Sequence, residues 1–150
     1  MTAAKITFRL LPFRTLARDA AGPGYRFEGL FQSAVEITRY CAACATPQLD
    51  TVAPAREVAI AIARGACPTG YGVEIIAVVE EASDSARQLH VYYSESNPTR
   101  IATSVAAYPH HVIALASSAG AARFRHVSDR MRRVLEEQRW LNEPLGSPES

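Results

Sequence analysis

The chain has 150 residues, 48% hydrophobic and 21% charged, with 16 Lys and Arg against 15 Asp and Glu and a net charge of +1. That length and balance suit one domain with a buried core and exclude intrinsic disorder. No apolar run reaches the ~18 residues of a membrane-spanning helix, and the small net charge argues against chain-wide attraction to nucleic acid or anionic lipid.

Lys5 is the only lysine, so Schiff-base or phosphate-loop lysine chemistry has no other candidate. The bias to arginine and alanine is that of a GC-rich, bacterial coding sequence. Cys41, Cys44 and Cys67 cannot all pair, and Lys5, Arg9 and Arg14 interrupt any N-terminal secretory segment. The expectation is a cytoplasmic chain with reduced thiols.

In chain order, residues 5–11 alternate apolar and polar side chains up to Pro12 and predict a first strand. Ala21-Gly22-Pro23-Gly24 breaks the chain. Phe27, Leu30, Phe31, Ala34, Val35, Thr38 and Cys41 then fall at helical spacing and predict a helix over 27–45. Tyr25, Val35, Ile37 and Tyr40 leave a hairpin over 25–40 as the alternative. Asp50 and Thr51 as caps, Pro54 in the first turn, and Val58, Ala59 and Ile62 on one face predict a second helix ending at Gly65.

Pro68 to Gly72 is a turn, and Val73–Glu80 predicts a strand buried at its centre. A polar connection leads to Leu89, Val91 and Tyr93, which alternate with His90 and Tyr92 and complete a hairpin. Ser96-Asn97-Pro98 predicts the start of a short helix carrying Ile101, Val105 and Tyr108. His111–Ala116 predicts an interior strand. Beyond Ser117–Gly120, a last helix presents Phe124, Val127, Met131, Val134 and Leu135 opposite an arginine face.

With the second helix taken as an insertion, this order is βαββαβ. That is a ferredoxin-like α+β sandwich with an inserted helix and an extra C-terminal helix. It implies one domain over 1–141 and a frayed tail over 142–150. A rival reading takes 100–115 as a helix-turn-helix with the hairpin as its wing. It requires 110–117 to be helical, yet supplies no Arg, Asn or Gln to read bases.

Four groups of residues could carry chemistry. Cys41-Ala-Ala-Cys44, with Cys67, His110 and His111, has metal-like spacing, but the first pair sits near a helix C-terminus without the Gly or Pro of a zinc knuckle. No metal or cofactor is therefore expected, and the cysteines read as small core residues. His90, with Tyr92 and with Glu74 across the hairpin, and His110-His111 at a strand mouth, are candidate proton-transfer groups. Ser117, Ser118, Gly120 and Arg123 form a strand-to-helix junction whose free N–H groups and helix dipole would hold an anion. In the last helix, arginines such as Arg132 and Arg133 precede Glu136 and Glu137 by four residues, which neutralises a phosphate-tracking face.

The leading expectation is a ligand-binding or protein-interaction domain that self-associates as a homo-oligomer. The alternatives are an enzyme acting on a small anionic substrate held at 117–120, and a helix-turn-helix DNA-binding protein. The latter is disfavoured by charge and composition.

Overall fold

Residues 57–64 read Glu-Val-Ala-Ile-Ala-Ile-Ala-Arg, an alternation of branched and small side chains with the period of a pleated strand. They form a strand in the computed structural model, which describes residues 5–44, 57–98 and 105–141. The helix expected there is corrected. Counting alanine as merely apolar lets Val58, Ala59 and Ile62 imitate a helix face, whereas the large side chains alone repeat every second residue.

The elements in chain order are β1 (Thr7–Leu11), β2 (Arg14–Asp19), β3 (Arg26–Phe31), α1 (Ala34–Ala42), β4 (Glu57–Arg64), β5 (Cys67–Pro68), β6 (Gly72–Ala82), β7 (Arg87–Ser96), β8 (Ala106–Ala107), β9 (His110–Ala116), β10 (Ala122–His126) and α2 (Asp129–Leu141). The fold is mixed α+β, mostly sheet with two helices among the described residues. One sheet has the order β1-β6-β7-β10, the other β2-β9-β4-β3, and β5 pairs with β8. All pairings are antiparallel except that of β10 with β7.

The two sheets pack face to face. Val58, Ile60 and Ile62 of β4 and Ile113 and Leu115 of β9 meet Val73, Ile75 and Val78 of β6 and Leu89, Val91 and Tyr93 of β7 in one apolar core. The other face of β4 carries Ala59 and Ala61. With Val112 these form a low floor on which Phe27, Phe31, Ile37 and Tyr40 settle, so α1 covers that side of the β2-β9-β4-β3 sheet. Ser33 caps α1 by accepting from the Glu36 N–H, while the Glu36 carboxylate accepts from the Gln32 N–H. On the outside of the other sheet α2 is tied down by Arg132, which donates to Glu74 and to the Ser94 hydroxyl.

Strands were expected over 73–80, 89–93 and 111–116, and these are β6, β7 and β9. The arrangement differs from a ferredoxin-like sandwich: two four-stranded sheets cover each other, in place of one sheet with helices on a single face. The helix expected over 27–45 divides into β3 and the shorter α1, because Phe27, Gly29 and Phe31 follow a strand period that glycine conceals. The last helix begins only at Asp129; Phe124 alternates with Arg123 and Arg125 in β10. The helix-turn-helix alternative needed residues 110–117 to be helical, and His110–Ala116 is a buried strand. Asp50, Thr51 and Pro54, most of the helix expected after Pro98, and the tail over 142–150 lie outside the described residues.

Candidate functional site

The paired histidines sit on opposite faces of β9. His111 points into the sandwich, 3% exposed. Its Nδ1 accepts from the Ile75 N–H at 2.9 Å, beside the irregularity between Ile75 and Ala77 in β6, and its Nε2 lies 2.9 Å from Thr15 Oγ1. A bulge takes a backbone donor out of register, and this imidazole satisfies one from the facing sheet. The acceptor role of Nδ1 places the proton on Nε2, which donates to Thr15.

His110 points outward, beneath α1, and is 2% exposed. Tyr40 Oη lies 2.6 Å from Nδ1, and Nε2 lies 2.8 Å from Asp19 Oδ1. Asp19 also accepts from the Ala21 N–H. Burial pushes the His110 pKa down, partly opposed by the Asp19 carboxylate. The neutral imidazole then donates through Nε2 to Asp19 and accepts at Nδ1 from Tyr40, whose own pKa burial drives far upward. Gly22 makes this latch sterically feasible, since a Cβ there would come within 2.7 Å of the His110 ring. A depression of about 190 Å³ lies at the Asp19 end, lined by Arg18, Tyr71 and His110 among others.

His90 lies on the outer face of the β1-β6-β7-β10 sheet. Its Nδ1 accepts from Arg125 Nε and its Nε2 lies 2.8 Å from Glu81 Oε1. The partner is Glu81, not the expected Glu74, because the hairpin register sets Glu74 opposite Ser94.

The expected anion site at 117–120 has a different character. No helix begins there; the segment links β9 to β10. Ser117 Oγ donates to Glu80, accepts from the Ala119 N–H, and so closes a local turn. Glu80 is itself buried and meets Arg9 and Arg87, so the polar partner at this junction is an anion of the chain itself. Ser118, Gly120 and Arg123 are exposed. His110 begins β9 and Ser117 follows its last residue, which separates them by about 20 Å along an extended strand. His110 and the 117–120 junction therefore lie apart, whereas His90 is brought beside Arg123 by the β7–β10 register.

Cys41 and Cys44 lie at the C-terminal end of α1, and Cys67 lies in β5. Burial raises the Cys41 thiol, and burial with the neighbouring Cys41 pushes Cys44 up to about 11. Both stay protonated at neutral pH, the state in which a thiol is a poor nucleophile. Among the described residues no group of three or more His, Cys, Asp or Glu side chains is placed to hold a metal. None of the described helices is long and apolar enough to cross a membrane.

A feature outside the sequence-based candidates is a groove of about 370 Å³ between β3 and α1, lined by Tyr25, Phe27, Gly29, Phe31, Arg39 and Tyr40 among others. Phe27 and Phe31 stack at 5.6 Å, and Tyr40 tilts against both at 5.4 Å. Phe27 lies over Gly29, where a Cβ would come within 2.5 Å of its ring. β3 ends the order of its sheet and pairs only with β4 among the described residues, leaving a sheet edge along the groove. The signal in the sequence was Phe-x-Gly-x-Phe, a period-two aromatic pair around a glycine.

Residues 58–116 are similar to the PrcB C-terminal family. The match covers less than half of the chain and runs from β4 through β9, the central strands of both sheets. Beta3 and α1, which make the groove, lie before it. No curated protein and no solved structure matches the chain.

Proposed function

We propose that the chain is a non-catalytic recognition domain whose partner docks in the groove between β3 and α1. The observation that supports this most is the coincidence of an aromatic-walled depression with a sheet edge that is unpaired among the described residues, which offers apolar pockets and backbone hydrogen bonds side by side. The histidines expected to move protons have both ring nitrogens engaged in holding elements together. An NMR screen of the ¹⁵N-labelled chain against small aromatic and aliphatic amides tests the reading. Shifts should gather at Tyr25, Gly29 and Arg39; shifts gathered around Asp19 and His110, or none at β3, contradict it.

A second reading, self-association, is favoured by β1. It is one edge of the other sheet, and Phe8 within it and Ile6 just before it are 65% and 52% exposed. Light scattering at tens of micromolar should give a mass above that of one chain, and Phe8→Lys should lower it; a monomer throughout removes the idea.

A further inference from the structure

We propose that Cys41 and Cys44 form a dithiol site at the foot of α1, that a small-molecule disulfide closes them into one intramolecular bridge, and that closure reaches the joint between Tyr40 and His110. The recognition reading does not depend on it.

The geometry of the last turn supplies the first argument. The Ala43 N–H donates to the Tyr40 carbonyl at 3.0 Å and the Cys44 N–H donates to the Cys41 carbonyl at 3.1 Å, the bonding of a 3₁₀ turn. Side chains three apart eclipse in such a turn, so Cys44 stands over Cys41. Their Cα atoms then lie within about 7 Å, which overlaps the roughly 4.4–6.8 Å that a disulfide spans. Both residues are partly exposed, so a small reagent can reach them. Cys67 belongs to β5 and lies outside this turn.

The two thiols have different surroundings. Cys44 Sγ donates to the Tyr40 carbonyl at 3.3 Å, whereas Cys41 has no hydrogen-bond partner among the described residues and is the thiol placed to react first. As its thiolate, Cys41 attacks one sulfur of the small disulfide; that S–S bond breaks, one half leaves as a thiolate and takes up a proton, and the other half stays on Cys41 as a mixed disulfide. The Cys44 thiolate then attacks the Cys41 sulfur and releases the second half. The chain thus gives up two protons and two electrons, and the small disulfide is reduced to two thiols. Weakly acidic thiols supply little thiolate at neutral pH, but the thiolates they form are the stronger nucleophiles, and a dithiol that gains nothing from ionisation leaves the closed bridge resistant to reduction.

Closure removes the S–H that Cys44 donates to Tyr40 and turns its sulfur towards Cys41. Tyr40 is also the residue whose hydroxyl lies 2.6 Å from His110 Nδ1, so resetting this turn acts on that joint. His111, bonded to Ile75 on the other face of β9, is spared.

The test is incubation of the folded chain with oxidised glutathione, followed by an acid quench, intact-mass measurement and peptide mapping. The mass should fall by two hydrogens with no glutathione retained, the bridge should map to Cys41 and Cys44, Cys67 should remain open to alkylation, and dithiothreitol should reverse the change. Cys44→Ser removes only the second thiol and should accumulate glutathione on Cys41 at least about tenfold above wild type. Glutathione retained on the wild-type turn, a bridge to Cys67, or thiols that react only after unfolding would overturn the proposal. On closure the ring NMR signals of Tyr40 and His110 should move while those of His111 stay. A mapped bridge that leaves the Tyr40 and His110 signals in place would overturn the link to that joint.

Discussion

The two faces of the β2-β9-β4-β3 sheet solve different problems with the same strands. Its inner face presents Val58, Ile60, Ile62, Ile113 and Leu115 to the opposite sheet, and its buried histidine, His111, accepts across the core from the Ile75 N–H. Its outer face presents alanines and Val112 to α1, joined by the polar latch of Tyr40, His110 and Asp19 and bordered by the open groove. The inner joint is closed and apolar. The outer one is held by aromatic rings and hydrogen bonds, and keeps surface available. Adjacent histidines on one strand therefore belong to different joints, and burial alone does not tell them apart.

The contrast can be broken from either side. On the inner face, Ile60→Ala leaves a cavity in a fully buried site and should cost about 3 kcal/mol in chemical denaturation. His111→Leu should cost about 2 kcal/mol, because it strands the buried Ile75 donor with no compensating contact. Neither should change the groove in variants that remain folded. A loss under about 0.5 kcal/mol for either would mean that this face relaxes freely and does not pack as described.

On the outer face the effects are smaller. Tyr40→Phe removes the hydroxyl on His110 Nδ1 and should cost about 1 kcal/mol. His110 also makes this joint sensitive to acid. Its folded pKa lies below the unfolded value, so between the two the unfolded chain binds more protons, and stability should fall as pH drops below about 6.5 towards the lower folded value. Denaturant midpoints in wild type and His110→Gln check this: the variant should lose part of the slope between pH 7 and pH 5. An unchanged slope would assign acid sensitivity elsewhere.

Gly29→Ala sharpens the comparison further. The nearest atoms to the added methyl are those of the Phe27 ring tip, which can swing aside, so stability should change by about 1 kcal/mol or less while the stacked aromatic wall is displaced. Partner binding should suffer more than folding does.

These faces were unevenly legible in the sequence. β6 is a β-branched run, β7 alternates Leu89, Val91 and Tyr93 with His90 and Tyr92, and β9, although a helix-turn-helix competed for it, carries Val112, Ile113 and Leu115 in one short run; the hairpin between β6 and β7 follows from its polar turn. β4 hid because alanine serves helices and small strand faces alike, and the outer face needs alanine to admit α1. β3 hid behind Gly29, and β10 behind arginines that also suit a helix. The candidate histidines were identifiable as residues of interest, but their partners Tyr40, Asp19, Thr15 and Ile75 come from distant segments that only sheet pairing brings near. The groove depends on β3 lying at a sheet edge, which no local pattern announces.

The most direct test of the account is amide hydrogen exchange with and without an amide that binds in the NMR screen. Binding should slow exchange along residues 26–31 and at the exposed face of α1, leaving the already protected inner strands β6 and β9 unchanged. Protection confined to β1, or to the Asp19 and His110 surroundings, with β3 unaffected would contradict it.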